Sequence, residues 1–483
     1  MAFNDRHPQY EEFVQDWKEA RDAFGSERVI KDETTEYLPA TAGQIEDGQG
    51  KGPNTEGQKA YDAYLKRALF HDFMSDAVEA AVGIMHQKPA TIELPKKLEV
   101  MLDKATTRGE SLQMLLRRIN ESQLIEGRIG LFMDLPPEDQ IPKDRGAIPF
   151  LSTYSATSMI NWDDGFRDGL DVGNLNLVVL DESGPVRNLF TWREKEQFRV
   201  LILGDLRDNE GKGEDAKYRQ FVSESKDAAP KDTEEVEPNI QGVMLDEIPF
   251  VFINSGDILP DPDKPPLIGL VRLSFAIYRL EADYRQLLFN QGQDTLVIIG
   301  DDSDPDDTKR TGAGAGIKVP LRGDAKYIGV SGKGLTEMRE ALENDKKRAG
   351  TKGGQLLDST SRQKESEGAL NVRVASQTAT LRQIALTSAG ALEKILKLAA
   401  KWVGAEPDEV KVIPNTDLTH DTLTGKTLLE FMQAKAMGLK LSDESIHEML
   451  QRKNITSKTF EEESDLIESE APIITEANAG LGA

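Results

Sequence analysis

From Pro265 onward the apolar residues take helical spacing: Leu273, Ile277, Leu280, Tyr284 and Leu287 step by 4, 3, 4 and 3, a seam down one helix face. Over residues 267–291 that helix is about 37 Å long at ~1.5 Å per residue. The runs "TLVIIG", "IKVPL" and "AKYIGV" then break the pattern with short strands, and a second helix is predicted over Leu335–Arg348. A stretch rich in small and polar residues, 350–368, precedes a long helix over Ala369–Val403. Its stripe is Leu370, Val374, Leu381, Ile384, Leu392, Ile395, Leu398 and Trp402. Amphipathic helices of this length need neighbours to cover their apolar faces.

The chain before Pro265 has two periods. Tyr10, Phe13, Trp17, Ala20 and Phe24 predict a helix over 8–24, and further helices are expected over Lys59–His86 and Ser111–Glu126, the last capped by "RGES". Residues 43–58, "GQIEDGQGKGPNTEGQ", read as an exposed loop. From about 128 to 255, short apolar runs such as "GRIGLFMDLP", "LNLVVLDE", "RNLFTWRE" and "IPFVFINSG" alternate with turn residues, predicting a mainly antiparallel β region. The charged stretch 205–242 reads as a mobile hairpin or loop. After the long helix come a strand over 410–414, short helices at about 424–437 and 442–453, and the acidic "EEESDLIESE". The fold class is α+β.

Composition excludes several functions. There is no cysteine, so neither disulfides nor thiolate metal sites are available. The five histidines (7, 71, 86, 420, 447) show no metal-ligand spacing. The start "MAFNDRHPQYEEF" lacks a basic-then-apolar signal and no uncharged apolar run of about 18 residues occurs, so a soluble, unsecreted protein is expected. Net charge is −25, with no basic stripe of the kind a sequence-specific nucleic-acid binder carries.

Four local patterns suggest chemistry and fail its requirements. "HDTLTGKT" ends like a phosphate-binding P-loop at Gly425, Lys426 and Thr427, but His420 stands where the first glycine belongs. "DDSDPDD" spaces Asp302, Asp304 and Asp306 like an EF-hand start, yet the sixth position is Asp307 and the twelfth Ala313. "TGAGAG" has Ile317 where a dinucleotide fingerprint needs glycine. Among 84 acidic residues some carboxylate pairs are inevitable, and none stands out. The reading is therefore no enzyme, no catalytic residues, no cofactor and no metal.

In order along the chain, "HPQYEEFVQDWKEARDAFGSERVIKDETTEYLPA", "YDAYLKRALFHDFMSDAVEAAVGIMHQKP", "EGRIGLFMDLP", "SATSMINW", "IPFVFINSG" and "PPLIGLVRLSFAIYRLEADYRQLLFNQGQDTLVIIG" resemble the portal-like family of tailed bacteriophages, long catalogued as a domain of unknown function. The resemblance covers roughly residues 7–403 and implies a phage portal fold. It implies a mixed α/β wing (1–264), stem helix 1 (265–291), a small β-containing clip (292–332) and stem helix 2 (333–349). A tunnel loop (350–368) would follow, then a long helix with a wing return strand (369–415) and a helical C-terminal crown with acidic tail (416–483).

The resemblance also implies a role. Members form closed homo-oligomeric rings, dodecamers in assembled heads, at one capsid vertex of the virion. Double-stranded DNA passes through during packaging, retention and ejection. The implied partners are the terminase large subunit, a head–tail adaptor and the major capsid protein, with no membrane. Twelve copies at −25 give a formal charge of about −300, a field that repels phosphate and suits sliding better than gripping. The candidate DNA-channel residues are Lys352, Gln355, Arg362 and Lys364, in a loop with glycines at 350, 353, 354 and 368. The competing readings are another virion structural protein (a head–tail connector or minor capsid protein) and a metal-dependent nuclease.

Overall fold

Helix α1 (Pro8–Phe24) starts where His7 accepts a hydrogen bond from the Gln9 amide at 3.3 Å and Pro8 fills the first turn. The structure, a computed structural model, describes residues 3–136, 148–164, 175–204, 217–226, 233–240, 242–291, 295–299, 324–328, 334–354, 367–418, 433, 435, 437, 442–452, 456 and 458–467. Short helices α2 (Ser26–Asp32) and α3 (Ala42–Glu46) follow, then α4 (Glu56–Arg67) and α5 (Phe73–Met85). The expected single helix over Lys59–His86 is thus two. The break has a packing cause: Phe70 is buried against Phe275 and Tyr278 at ring distances of 6.1 and 5.8 Å, which pulls residues 68–72 out of helical geometry.

Strand β1 (Thr91–Glu93) leads to α6 (Leu112–Glu126), whose N-cap Ser111 accepts from the Met114 amide at 3.3 Å. Gly127 ends α6 at φ 74°. A side chain there would be strained, and its Cβ would lie 2.9 Å from the Pro265 backbone, so the position demands glycine twice over.

The β region is antiparallel throughout the described pairs, as its alternation predicts. Strands β2 (Arg128–Asp134), β3 (Phe150–Ser155), β4 (Met159–Asp163) and β5 (Leu177–Asp181) are followed by β6 (Gly184–Asn188) and β7 (Thr191–Lys195). Then come β8 (Phe198–Leu203), β9 (Tyr218–Ser223), β10 (Glu234–Val236) and β11 (Phe250–Asn254). One sheet has the order β10-β9-β8-β5-β4, another β11-β2-β3, and β6 with β7 makes a separate ribbon. The expectation of a mobile hairpin over 205–242 is corrected in part. Strand β9 lies inside the five-stranded sheet, paired to β8 from Phe198↔Ser223 to Leu203↔Tyr218, with Tyr218 and Phe221 fully buried. A large aromatic buried on each face of the strand, Tyr218 on one and Phe221 on the other, outweighs the charge around it.

Helix α7 (Ile268–Gln291) opens the second half, followed by β12 (Thr295–Ile299), β13 (Asp324–Ile328), α8 (Leu335–Gly354), α9 (Glu367–Trp402) and β14 (Lys411–Ile413). Both helices flanking the expected loop 350–368 run further than their apolar periods predict. Strand β14 pairs with β1, so residues far apart in sequence share one ribbon. Helix α9 lies on α6 through a buried polar set. Asn120 donates to Ser388 Oγ (2.7 Å), Gln123 donates to Thr387 Oγ1 (3.0 Å) and to the Asn254 carbonyl (2.7 Å), and His86 meets Asn120 at 2.9 Å. These bonds set the axial register of α9, which its small apolar residues (Ala385, Ala389, Ala399) would leave loose.

Two compact units divide at Leu418/Thr419. In the second, α10 (Asp443–Arg452) buries His447, whose Nε2 meets the Lys458 carbonyl at 2.9 Å. The expected helix over 424–437 and the "HDTLTGKT" motif lie largely outside the described residues, as do "DDSDPDD" and "TGAGAG".

Candidate functional site

Helices α7 and α8 form an antiparallel pair that leaves the body and returns to it. At the far end, β12 and β13 pair from Thr295↔Ile328 to Ile299↔Asp324, the described part of the insertion between the helices. At the near end, a methyl group on Gly353 of α8 would lie 3.6 Å from both Ala77 of α5 and Leu270 of α7. Small residues there let the last turn of α8 sit close against both helices.

The predicted seam of α7 is only its margin. Ile277 is fully buried, but Leu273, Leu280, Tyr284 and Leu287 are half-buried. The face that is buried runs through Leu270, Val271, Ser274, Phe275, Tyr278, Glu281 and Ala282. Ser274 and Glu281 hide it from an apolar count. Ser274 returns its hydroxyl to the Leu270 carbonyl at 2.9 Å, which satisfies it locally.

Glu281 is the centre of the pair. It is 3% exposed, and its carboxylate takes Lys346 Nζ of α8 at 2.8 Å and Arg285 Nε at 2.7 Å, with His71 Nε2 at 3.7 Å. Burial pushes its pKa up, and the hydrogen bonds from Lys346 and Arg285 outweigh that, holding the carboxyl below its ordinary range. His71 is held below its usual value by burial first and by the Lys346 charge second, against the pull of Glu281.

Charge along α8 is segregated. Up to Asp345 it carries Glu337, Glu340, Glu343 and Asp345 against Arg339 alone; from Lys346 on its charged residues are Lys346, Lys347, Arg348 and Lys352. That order complements the helix dipole, and it also makes a cationic band at the C-terminal end, where Lys347, Arg348 and Lys352 are exposed. The sequence-predicted candidate Lys352 belongs to this band. It lies on α8 rather than in a loop, with Nζ 3.5 Å from the Gly269 carbonyl. The other candidates, Gln355, Arg362 and Lys364, lie outside the described residues. Lys347 and Arg348 were missed because the helix was read to stop near them; counting basic residues in i, i+1, i+5 positions before the glycines would have found the band.

Among the described residues no group of three or more His, Asp or Glu side chains is placed to hold a metal ion. None of the described helices is long and apolar enough to cross a membrane.

Residues 266–403, from the start of α7 to the end of α9, match a family described as Domain of unknown function (DUF4055). No curated protein matches the chain. Among solved structures it is similar to a chain in the neck of a native GTA particle computed with C12 symmetry. The identity is 13% and the TM-score 0.39, over 85% of this chain and 92% of that one. A chain in the neck of an empty GTA particle computed with C6 symmetry gives 13% identity and a TM-score of 0.38 over the same shares.

Proposed function

We propose that this chain is the portal protein of a tailed bacteriophage, a ring-shaped conduit at one capsid vertex through which the genome is packaged, held and ejected. The observation that carries the reading is the order helix, β insertion, helix, long helix in α7–β12–β13–α8–α9 among the described residues. That is the stem–clip–stem order implied by the sequence resemblance, and it spans the stretch that the family match covers. On this reading α7 and α8 are the stem, β12 and β13 part of the clip, and the band Lys347–Arg348–Lys352 faces the passage. A few cations in an otherwise acidic conduit touch passing phosphates without retaining them. The terminase motor supplies the energy of packaging and docks first, the head–tail adaptor later.

Negative-stain imaging of the purified protein tests this directly. Closed rings with an axial hole are expected, and a strictly monomeric species from nanomolar to tens of micromolar would sink the proposal. Replacing Lys347, Arg348 and Lys352 together by alanine should leave rings intact while impairing packaging or retention of DNA. Saturable micromolar ATP binding would overturn the rejection of "HDTLTGKT" as a P-loop.

A further inference from the structure

We propose that the β6–β7 ribbon of one copy of this chain inserts its tip into a cleft beside β11 and β4 of the next copy, a finger-in-cleft contact joining neighbours head to tail. The inference rests on the ring reading and names the surfaces that build the ring.

The finger is built to be covered. Among the described residues its strands pair only with each other, from Gly184↔Lys195 to Asn188↔Thr191, and an isolated two-stranded ribbon is marginal in water. Its two-residue turn is Leu189–Phe190, with Leu189 at φ 53°, where hairpins favour Asn-Gly. A leucine in left-handed geometry costs about 1 kcal/mol, so this turn chemistry serves something other than the turn. Phe190 is 93% exposed, Leu189 76% and Trp192 67%. Large aromatics at a protruding tip are the side chains that anchor protein contacts.

The cleft is preformed. It has a volume of about 630 Å³ and shares Leu175, Phe250, Val251 and Lys394 with an adjoining space of about 260 Å³. Its size falls in the ~300–1,000 Å³ range of pockets that enclose whole ligands, enough for the aromatic tip. Trp162 and Phe252 line it, and both are fixed from behind by the fully buried Arg128, whose guanidinium lies 4.3 and 4.4 Å from the two rings. His7 stacks on Trp162 at 4.1 Å. Both neighbouring strands, β11 and β4, are edge strands of their sheets.

The occupant is a second copy because finger and cleft lie at opposite ends of β5 and carry opposite charge. Strand β5 runs from Leu177, paired with Asp163 beside the cleft, to Asp181, from which the finger departs. Finger and cleft therefore sit at opposite ends of the same strands. A surface at one end that fits a surface at the other makes a heterologous contact, which repeats until a ring closes. The finger carries Arg187, Arg193 and Lys195 against Glu194, with Lys195 bridged to Glu224 at 2.8 Å, while the cleft carries Asp164 and Asp261 against Lys394.

The absence of cysteine makes the test clean. Phe190→Cys at the tip and Leu259→Cys on the cleft wall, 55% exposed, are combined in one chain and treated with a short bis-maleimide. A denaturing-gel ladder climbing to the full ring is expected from the double variant, and nothing above a dimer from either single one. Rings by imaging with no ladder would overturn this contact and leave the ring reading standing. A crosslinked monomer of altered mobility would mean that the finger fills its own cleft, and absence of rings would remove both proposals. Independently, Phe190→Ser with Trp192→Ser should leave the thermal melt of the dissociated chain unchanged and weaken ring association by about thirtyfold or more, the effect of losing a hot spot. Unchanged association, with loss of binding to a different virion protein, would assign the finger to that protein instead.

Discussion

Around Trp17, the sheet β11-β2-β3, α6 and the C-terminal half of α9 bury their side chains completely: Leu116, Leu131, Phe132, Ile253, Leu392 and Leu396 are all at 0–2% exposure. In the α7–α8 pair, α8 buries only Leu342, Ala349 and Gly353 among its described residues, and the ion cluster on Glu281 does much of the joining. The body is held mainly by the removal of apolar surface from water. The pair is held by a few desolvated charges, which are sensitive to acid. The two regions thus differ in what joins them: apolar burial in the body, and a buried carboxylate with its cations in the pair.

The contrast is broken most strongly in the body. Trp17→Ala empties a fully buried site and should cost about 3–5 kcal/mol, read as a lower urea midpoint for the whole first unit. Glu281→Gln should cost roughly 2 kcal/mol, since Lys346 and Arg285 are half-exposed and rehydrate when the carboxylate goes. Hydrogen exchange should rise in α8 and the second half of α7 while β2 and β11 stay protected; equal loosening of the sheets would erase the distinction drawn here.

Acid gives a smaller effect with a fixed sign. Glu281 and His71 both have folded pKa values below their ordinary ones. Each therefore contributes stability that is full above its unfolded pKa and is lost as pH falls through the folded one. The His71 part begins to fade below about pH 6.5 and the Glu281 part below about pH 4.3. Exchange in α8 should accelerate over that window, and Glu281→Gln should remove the lower step. The smallest effect is expected at Arg339→Ala, whose partner Glu343 lies 3.8 Å away with both side chains mostly exposed. It should change stability by less than about 0.5 kcal/mol.

How much of this was legible follows from where the information sits. Helix α1, α6 with its Ser111 cap, the antiparallel β region and the order of α7, α8 and α9 all rest on local period and turn chemistry, and were readable. The break at 68–72 was not, because Phe70 leaves the helix for rings on α7 some two hundred residues on. "RNLFTWRE" reads as one strand by composition, since nothing in Leu189–Phe190 signals a turn; only its strand pairing reveals a finger. The cleft joins residues from before α1, from β4, from the loop after β11 and from α9, so no spacing could announce it. Nothing in the sequence around Glu281 marks its burial, since Lys346 comes from the next helix.

The ribbon of β1 and β14 has a kinetic side. Thr91 meets Ile413 across 322 positions (413 − 91), so these strands cannot zip until everything between them has been placed. Closure entropy grows only with the logarithm of the enclosed length, by ~0.6 kcal/mol per doubling. Adding forty residues between α7 and α8 would change that term by about 0.1 kcal/mol. The insertion is therefore free to lengthen, shorten or be exchanged over evolution, and the ribbon that seals the platform would scarcely register the difference.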